Sequence, residues 1–269
     1  MLGKLIKYDL KYGAKIFIVF HIILWIAAIF GRIFFLEQID FHAPVPQLTS
    51  TLILFFSVFI LLFSAISLAT ALLIAVRFYK NLFTDEGYLT WTLPASPIQQ
   101  LWAKIISGSI WYIGDLLLVY SALYFMWSGS NTQNLYQEIA ADFTEALGMP
   151  LPDFFLLMVL LSIAGVAGSI MMLYASIAVA QLFPAHRLLL SVIVYFIFYL
   201  ITYALSMGAL IVFKLLPGIT FTIDSVNYTT TMSSYLTGTV VISTVISTFM
   251  AILQYVITHL ILTRKLNLV

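Results

Sequence analysis

Six long stretches of the chain are almost without charge, and short segments holding most of the ionisable residues separate them. Crossing a hydrocarbon core of ~30 Å takes about 20 apolar residues in a helix. The stretches lie at about 16–35, 51–76, 98–127, 154–183, 188–216 and 236–262, each as long as that or longer. Charged or helix-breaking residues bound them: Lys15 and Glu37 flank the first, Arg77 ends the second, Pro184 the fourth, Pro217 and Gly218 the fifth, and Arg264 and Lys265 the sixth. Strands of a membrane barrel would be about 10 residues long with alternating polarity, which these are not. The pattern predicts an all-α membrane protein with six transmembrane helices in one transmembrane domain over residues 1–269. No soluble domain and no internal repeat is visible. The first stretch lacks a small-x-small cleavage site after its apolar run, so it reads as a retained span.

Composition agrees. Of 269 residues, 62% are hydrophobic and 9% charged, with mean hydropathy +1.08, whereas a soluble surface needs roughly 25% charged residues. A net charge of +1 points to no nucleic-acid partner. Cysteine is absent, which removes disulfides and thiol chemistry. His21, His42, His186 and His259 show no paired ligand spacing, so no metal site is expected. His21 and His259 sit at similar distances from a span boundary, without any sign in the sequence that they meet.

Charge placement gives an orientation. With both termini cytoplasmic, ten of the twelve Lys and Arg residues fall inside (Lys4, Lys7, Lys11, Lys15, Arg77, Lys80, Lys104, Arg187, Arg264 and Lys265). Arg32 and Lys214 stay outside near span ends, where they can snorkel. Glu37, Asp40, Glu138, Asp142, Glu145, Asp153 and Asp224 also fall outside. The outer segment 128–152 predicts an amphipathic helix. Leu135, Ile139, Phe143 and Leu147 repeat at i+4, and Gly148 with Pro150 supplies a stop.

Residues 1–15 form a basic amphipathic segment with Lys7, Lys11 and Lys15 at i+4, read as an interfacial helix on the inner surface. It serves either as a topology anchor or as a lever to a cytoplasmic partner. The loop after the second span is more distinctive. Thr84 is placed to N-cap a short helix in which Asp85 and Glu86 favour the dipole, and Pro94 ends it. Ser96-Pro97-Ile98-Gln99 reads as a capping box starting the third span. Five aromatic residues lie in this loop. An interfacial aromatic belt explains them singly, and docking into a groove on a partner protein explains them together with the start and stop signals.

The run FYKNLFTDEGYLTWTLPASPIQQLWAK resembles the loop between the second and third spans of bacterial ABC exporter permeases of the type-2 superfamily. The opening MLGKLIKYDLKYGAKIF resembles their N-terminal connecting helix, and the six-span plan is similar over essentially the whole chain. The likeness extends to Gram-positive permeases that export peptide toxins, including phenol-soluble modulins. It implies a half-transporter in a bacterial plasma membrane, multi-pass, paired with a second permease copy and with separate cytoplasmic ABC ATPase subunits. ATP and Mg would be bound by those subunits, so this chain carries no cofactor and is not itself an enzyme. Residues Phe83, Thr84, Asp85, Glu86, Gly87, Tyr88 and Leu89 would form the coupling helix. The absence of G-x-x-x-x-G-K-[ST] agrees, because no P-loop can cradle a nucleotide here.

Inside the spans, Asp115 lies eleven residues past Lys104, about 16 Å deeper at 1.5 Å per residue. A carboxylate at that depth is a functional candidate. The blander reading is a hydrogen-bonded carboxyl, against a Ser or Tyr, that holds helices together. Tyr195, Tyr199 and Tyr203 make an i+4 stripe on the fifth span with Ser206 nearby, and Ser57, Ser64 and Ser67 make a polar face on the second. Both are candidates for lining a translocation path, since the second and fifth spans flank the path in the resembled superfamily, and packing explains them equally. Ala164 and Gly168 satisfy small-x-x-x-small and read as packing. The rival to an ATP-driven exporter is an ion- or proton-coupled secondary carrier using Asp115. An intramembrane enzyme has neither a Ser/His pair nor a carboxylate dyad to support it.

Overall fold

The computed structural model describes residues 1–183, 185–216, 221–223, 226–228 and 232–264. Pro184, Pro217, Gly218, Asp224 and Lys265 therefore lie outside the described residues. The helices are α1 (Leu2–Gly31), α2 (Val45–Phe83), α3 (Asp85–Thr92), α4 (Pro97–Trp127), α5 (Ser130–Leu147), α6 (Leu151–Ala180), α7 (Arg187–Val212) and α8 (Met232–Arg264). Six of them, all but α3 and α5, are long and apolar enough to cross a membrane, and the chain is a multi-pass membrane protein. Helix is nearly the whole structure. Among the described residues the strands are a two-stranded antiparallel ribbon, β1 (Phe221–Ile223) with β2 (Val226–Tyr228), in which Phe221 pairs with Tyr228.

No break sets residues 1–15 apart from the first span; α1 runs unbroken from Leu2 to Gly31. Nothing between Lys15 and Ile16 breaks a helix, and Asp9, Gly13, Phe17 and His21 continue one buried stripe at i+4 through the junction. After Gly31 the helix widens into five residues of π-helix, Arg32–Leu36, closed by a bond from Glu37 N to Arg32 O of 2.9 Å. A Cβ at Gly31 would collide with the tip of the Phe59 ring on α2, so a larger residue there would require that ring to move.

α1 and α4 run parallel along their full lengths. Asp9 meets Lys104, His21 meets Asp115, Arg32 meets Phe125 and Ser128, and Glu37 meets Ser130. The partner offset stays between 93 and 96 residues, so a single register is fixed by polar contacts at four levels. α2 packs beside this pair, and α6, α7 and α8 form the other side. Gly168 of α6 approaches α8 so closely that a Cβ would collide with Ser247, as expected of a small-residue packing site.

Apolar packing gathers in two clusters. One joins Phe78, Leu82, Leu101, Ile170, Tyr174 and Ile261 near the Lys-rich end. The other joins Leu24, Phe55, Phe59, Ala122 and Met126 toward the opposite end. The large apolar side chains left exposed, such as Leu54, Leu61, Leu188 and Leu200, form the outer surface of the spans, where lipid is as apolar as the interior.

Candidate functional site

The loop after α2 folds into a short, tightly held helix. Thr84 occupies the N-cap position with extended backbone, yet its hydroxyl donates to Lys80 O rather than capping α3. Asp85 and Glu86 supply the negative charge at the first turn. Leu93 is the C-cap, immediately before Pro94. The capping box is present in full, with Gln99 N donating to Ser96 Oγ and Ser96 N to Gln99 Oε1, and Pro97 opens α4. Two further bonds pin α3 to its neighbours: Trp91 Nε1 donates to Leu82 O at 3.1 Å, and buried Gln100 Nε2 donates to Thr90 O at 3.1 Å. Phe83 is buried in the core and Gly87 in the helix contact. Tyr88 and Leu89 point away, 52% and 74% exposed. The segment therefore divides into an anchored side and a free apolar side.

Beneath α3 lies a charge cluster that charge counting alone does not reveal. Lys104 Nζ reaches both oxygens of Asp9 at 2.6 and 2.8 Å, with the two residues only 3% and 6% exposed. Arg77 Nε donates to Asp9 Oδ1 at 3.0 Å and its Nη1 to Glu86 Oε2 at 3.2 Å. Its guanidinium also stacks 4.3 Å over the Tyr12 ring. Fully buried Tyr174 donates to Lys104 O at 2.9 Å and stacks on Phe78. A Cβ on Gly108 would lie 2.7 Å from the Tyr174 hydroxyl, so only glycine leaves room for that bond. Arg77 thus bridges α1 to α3. Two of the residues counted among the cytoplasmic charges, Arg77 and Lys104, pair here with a buried acid.

Asp115 is 1% exposed and fully partnered. Its Oδ2 accepts from Ser67 Oγ at 2.8 Å, and its Oδ1 accepts from Thr70 Oγ1 at 3.0 Å and lies 3.0 Å from His21 Nε2. The expected serine is there, no tyrosine is, and His21 is the partner the sequence did not indicate. His21 and His259 do not meet; His259 stacks on Tyr255 within α8.

The other path candidates are not assembled within one chain. Ser57 and Ser64 are exposed on α2 while Ser67 turns inward to Asp115, so the three do not form one face. On α7, Tyr195 is half-buried, Tyr199 and Tyr203 are exposed with stacked rings 6.5 Å apart, and Ser206 is half-buried. α7 packs chiefly on α6 and α8, and among its described residues only Leu210 is buried.

At the opposite end, Glu37 grips the start of α5. It accepts from Ser130 N and Ser130 Oγ, both at 2.9 Å, and from Asn131 N at 3.2 Å. Asn131 Nδ2 returns bonds to Leu36 O and Ile39 O. The bonds from Asn131 and Ser130 hold the Glu37 carboxyl below its ordinary range, with Arg32 adding to the effect. Arg32 donates to Phe125 O and Ser128 and stacks over the Phe125 ring. α5 ends at Gly148, in the left-handed region at φ 73°. Between α5 and the ends of α2, α4 and α6 opens an apolar cavity of about 560 Å³, lined by Phe55, Trp127, Leu135, Tyr136 and Phe155 among others.

No protein-family model, curated protein or solved structure matches the chain.

Proposed function

We propose that this chain is the membrane subunit of an ATP-driven ABC exporter of the type-2 superfamily. On this reading it works with a second permease copy and with separate cytoplasmic ATPase subunits, in a bacterial plasma membrane with both termini inside. The observation that carries the reading is the division of α3. A short helix is fixed on one side by Trp91, Gln100 and Arg77 and presents Tyr88 and Leu89 on the other. Exposed apolar side chains on a rigid support are what a docking surface requires. Arg77 supports transmission, because it ties α3 to α1 through Asp9, so a push on α3 reaches two spans as rigid bodies. The apolar cavity under α5 has the size and aromatic lining of a site for hydrophobic ligands. It supports a hydrophobic or amphipathic cargo such as a peptide toxin or antimicrobial peptide.

The test is co-purification with the ATPase subunit and stimulation of its hydrolysis. Tyr88→Ala with Leu89→Ala is expected to abolish both while the permease stays folded, and unchanged binding and stimulation overturn the docking assignment. Transport that persists without ATP and disappears in Asp115→Asn would instead favour the secondary-carrier reading.

A further inference from the structure

The hydrogen bonds around His21 fix a proton count. Nδ1 lies 2.8 Å from Phe17 O, and a carbonyl only accepts, so Nδ1 carries a proton. A neutral imidazole protonated there presents a lone pair at Nε2. That atom faces Asp115 Oδ1 at 3.0 Å, a distance at which two lone pairs would repel. One more proton must therefore lie between Nε2 and Oδ1, whichever atom it rests on. We infer that His21 and Asp115 together form a buried binding site for a single proton, clamped between α1 and α4.

The surroundings fit that ligand. With the proton, the site is net neutral, and Ser67 and Thr70 donate to the carboxyl oxygens from α2. Without it, a net negative charge would remain on groups 5% and 1% exposed near mid-span, where an uncompensated charge is strongly disfavoured. Access comes from the Lys-rich end. A cavity of about 30 Å³ runs between Asp9, Arg77, Lys104 and Ser107 and reaches Thr70, whose hydroxyl already contacts Asp115. A water needs ~10–15 Å³ of such space, so about two fit, in a mostly apolar passage where Asp9, Lys104, Ser107 and Thr70 are polar groups on its wall. Tyr112 on α4 is the other titratable side chain beside Asp115. α6 contributes Tyr174 and α1 contributes Asp9 and Tyr12, all at the cavity. α8 brings Tyr255 only as far as Trp102, more than three turns before Asp115.

The test uses the full chain in lipid nanodiscs, with His42, His186 and His259 each changed to Gln so that His21 is the sole imidazole. Nitrogen NMR at neutral pH is expected to show a protonated Nδ1 and a proton shared between Nε2 and Asp115. Asp115→Asn should return His21 to an ordinary neutral imidazole. Folding stability should fall with rising pH, by about a tenfold smaller folding constant per pH unit, where the folded chain keeps the proton and the unfolded chain has lost it, and should level off once the folded chain releases it. The double variant His21→Gln with Asp115→Asn retains a neutral amide pair and should lose that dependence. A bare Nε2 lone pair beside an ionised Asp115 in the parent protein overturns the inference, and so does an unchanged pH dependence in the double variant. Tyr88→Ala with Leu89→Ala should leave the NMR signature intact, so this outcome and the docking assignment fail separately.

Discussion

Two polar ties hold the same α1–α4 seam at its two ends, and they are built on opposite principles. At the Lys-rich end Asp9 is buried under Lys104 and Arg77, with apolar packing from Phe78 and Tyr174 around it. At the far end Glu37 sits at the water's edge and gathers hydrogen bonds mainly from the backbone and side chains that open α5. The first tie removes charge from solvent, so its members are mutually dependent: Lys104 is tolerable only because Asp9 is there. The second shares its charge with water, and each bond adds modestly and can be lost alone. Burial, rather than the number of bonds, sets how much depends on each residue.

Breaking the buried tie is therefore expected to have the largest effect. Asp9→Ala strands Lys104 and should destabilise the protein by about 3–5 kcal/mol, read as a fall in thermal unfolding temperature in nanodiscs. The contrast is sharpened by Asp9→Leu with Lys104→Met, which removes both charges and should restore most of the loss. If the double change is as damaging as Asp9→Ala, the tie acts through geometry and not through charge burial. Next comes Gly108→Ala, which forces the Tyr174 hydroxyl from its 2.7 Å clearance at about 1–3 kcal/mol. Tyr174→Phe, losing only the bond to Lys104 O, should cost about 1 kcal/mol by the same measurement.

The exposed tie should respond locally. Glu37→Gln is expected to speed hydrogen exchange and proteolysis of α5 while leaving the unfolding temperature nearly unchanged. Its pH dependence has a definite sign: the folded-state pKa of Glu37 is lowered from 4.5, so the contribution is full above that value. It disappears only as pH falls through the lower, folded-state value. Loosening of α5 should thus begin at more acidic pH than an ordinary glutamate would give. Smallest of all, Tyr88→Ala with Leu89→Ala removes exposed side chains and should change stability by no more than about 0.5 kcal/mol. A larger loss would mean that this face is packed rather than free.

Local signals were readable where chemistry is local. The capping box at Ser96 and Gln99, the stop at Pro94, the αL glycine after α5 and the six spans all follow from short-range rules. The Thr84 side-chain cap did not follow, because an i−4 carbonyl at Lys80 competed for the hydroxyl. Asp9 was masked by the lysines around it, although a signal existed. Asp9 and His21 belong to one i+4 stripe on α1, Thr70 and Arg77 are seven apart on α2, and Lys104 and Asp115 are eleven apart on α4. Each helix thus carries two polar residues near one face, at matching depths.

By itself the sequence determined that this chain lives in a membrane, how many times it can cross, and where a short punctuated helix interrupts the crossing. Length and polarity against a ~30 Å hydrocarbon slab suffice for that. Only the tertiary structure decided which faces meet. In a membrane the lipid-facing side of a span is as apolar as its packed side, so hydrophobic periodicity, which orients helices in water, gives no direction here. The register of α1 on α4, the pairing of His21 with Asp115 and the burial of Asp9 under Lys104 depend on contacts 94 or 95 residues apart. Those are set by where polar groups can satisfy one another once water is gone.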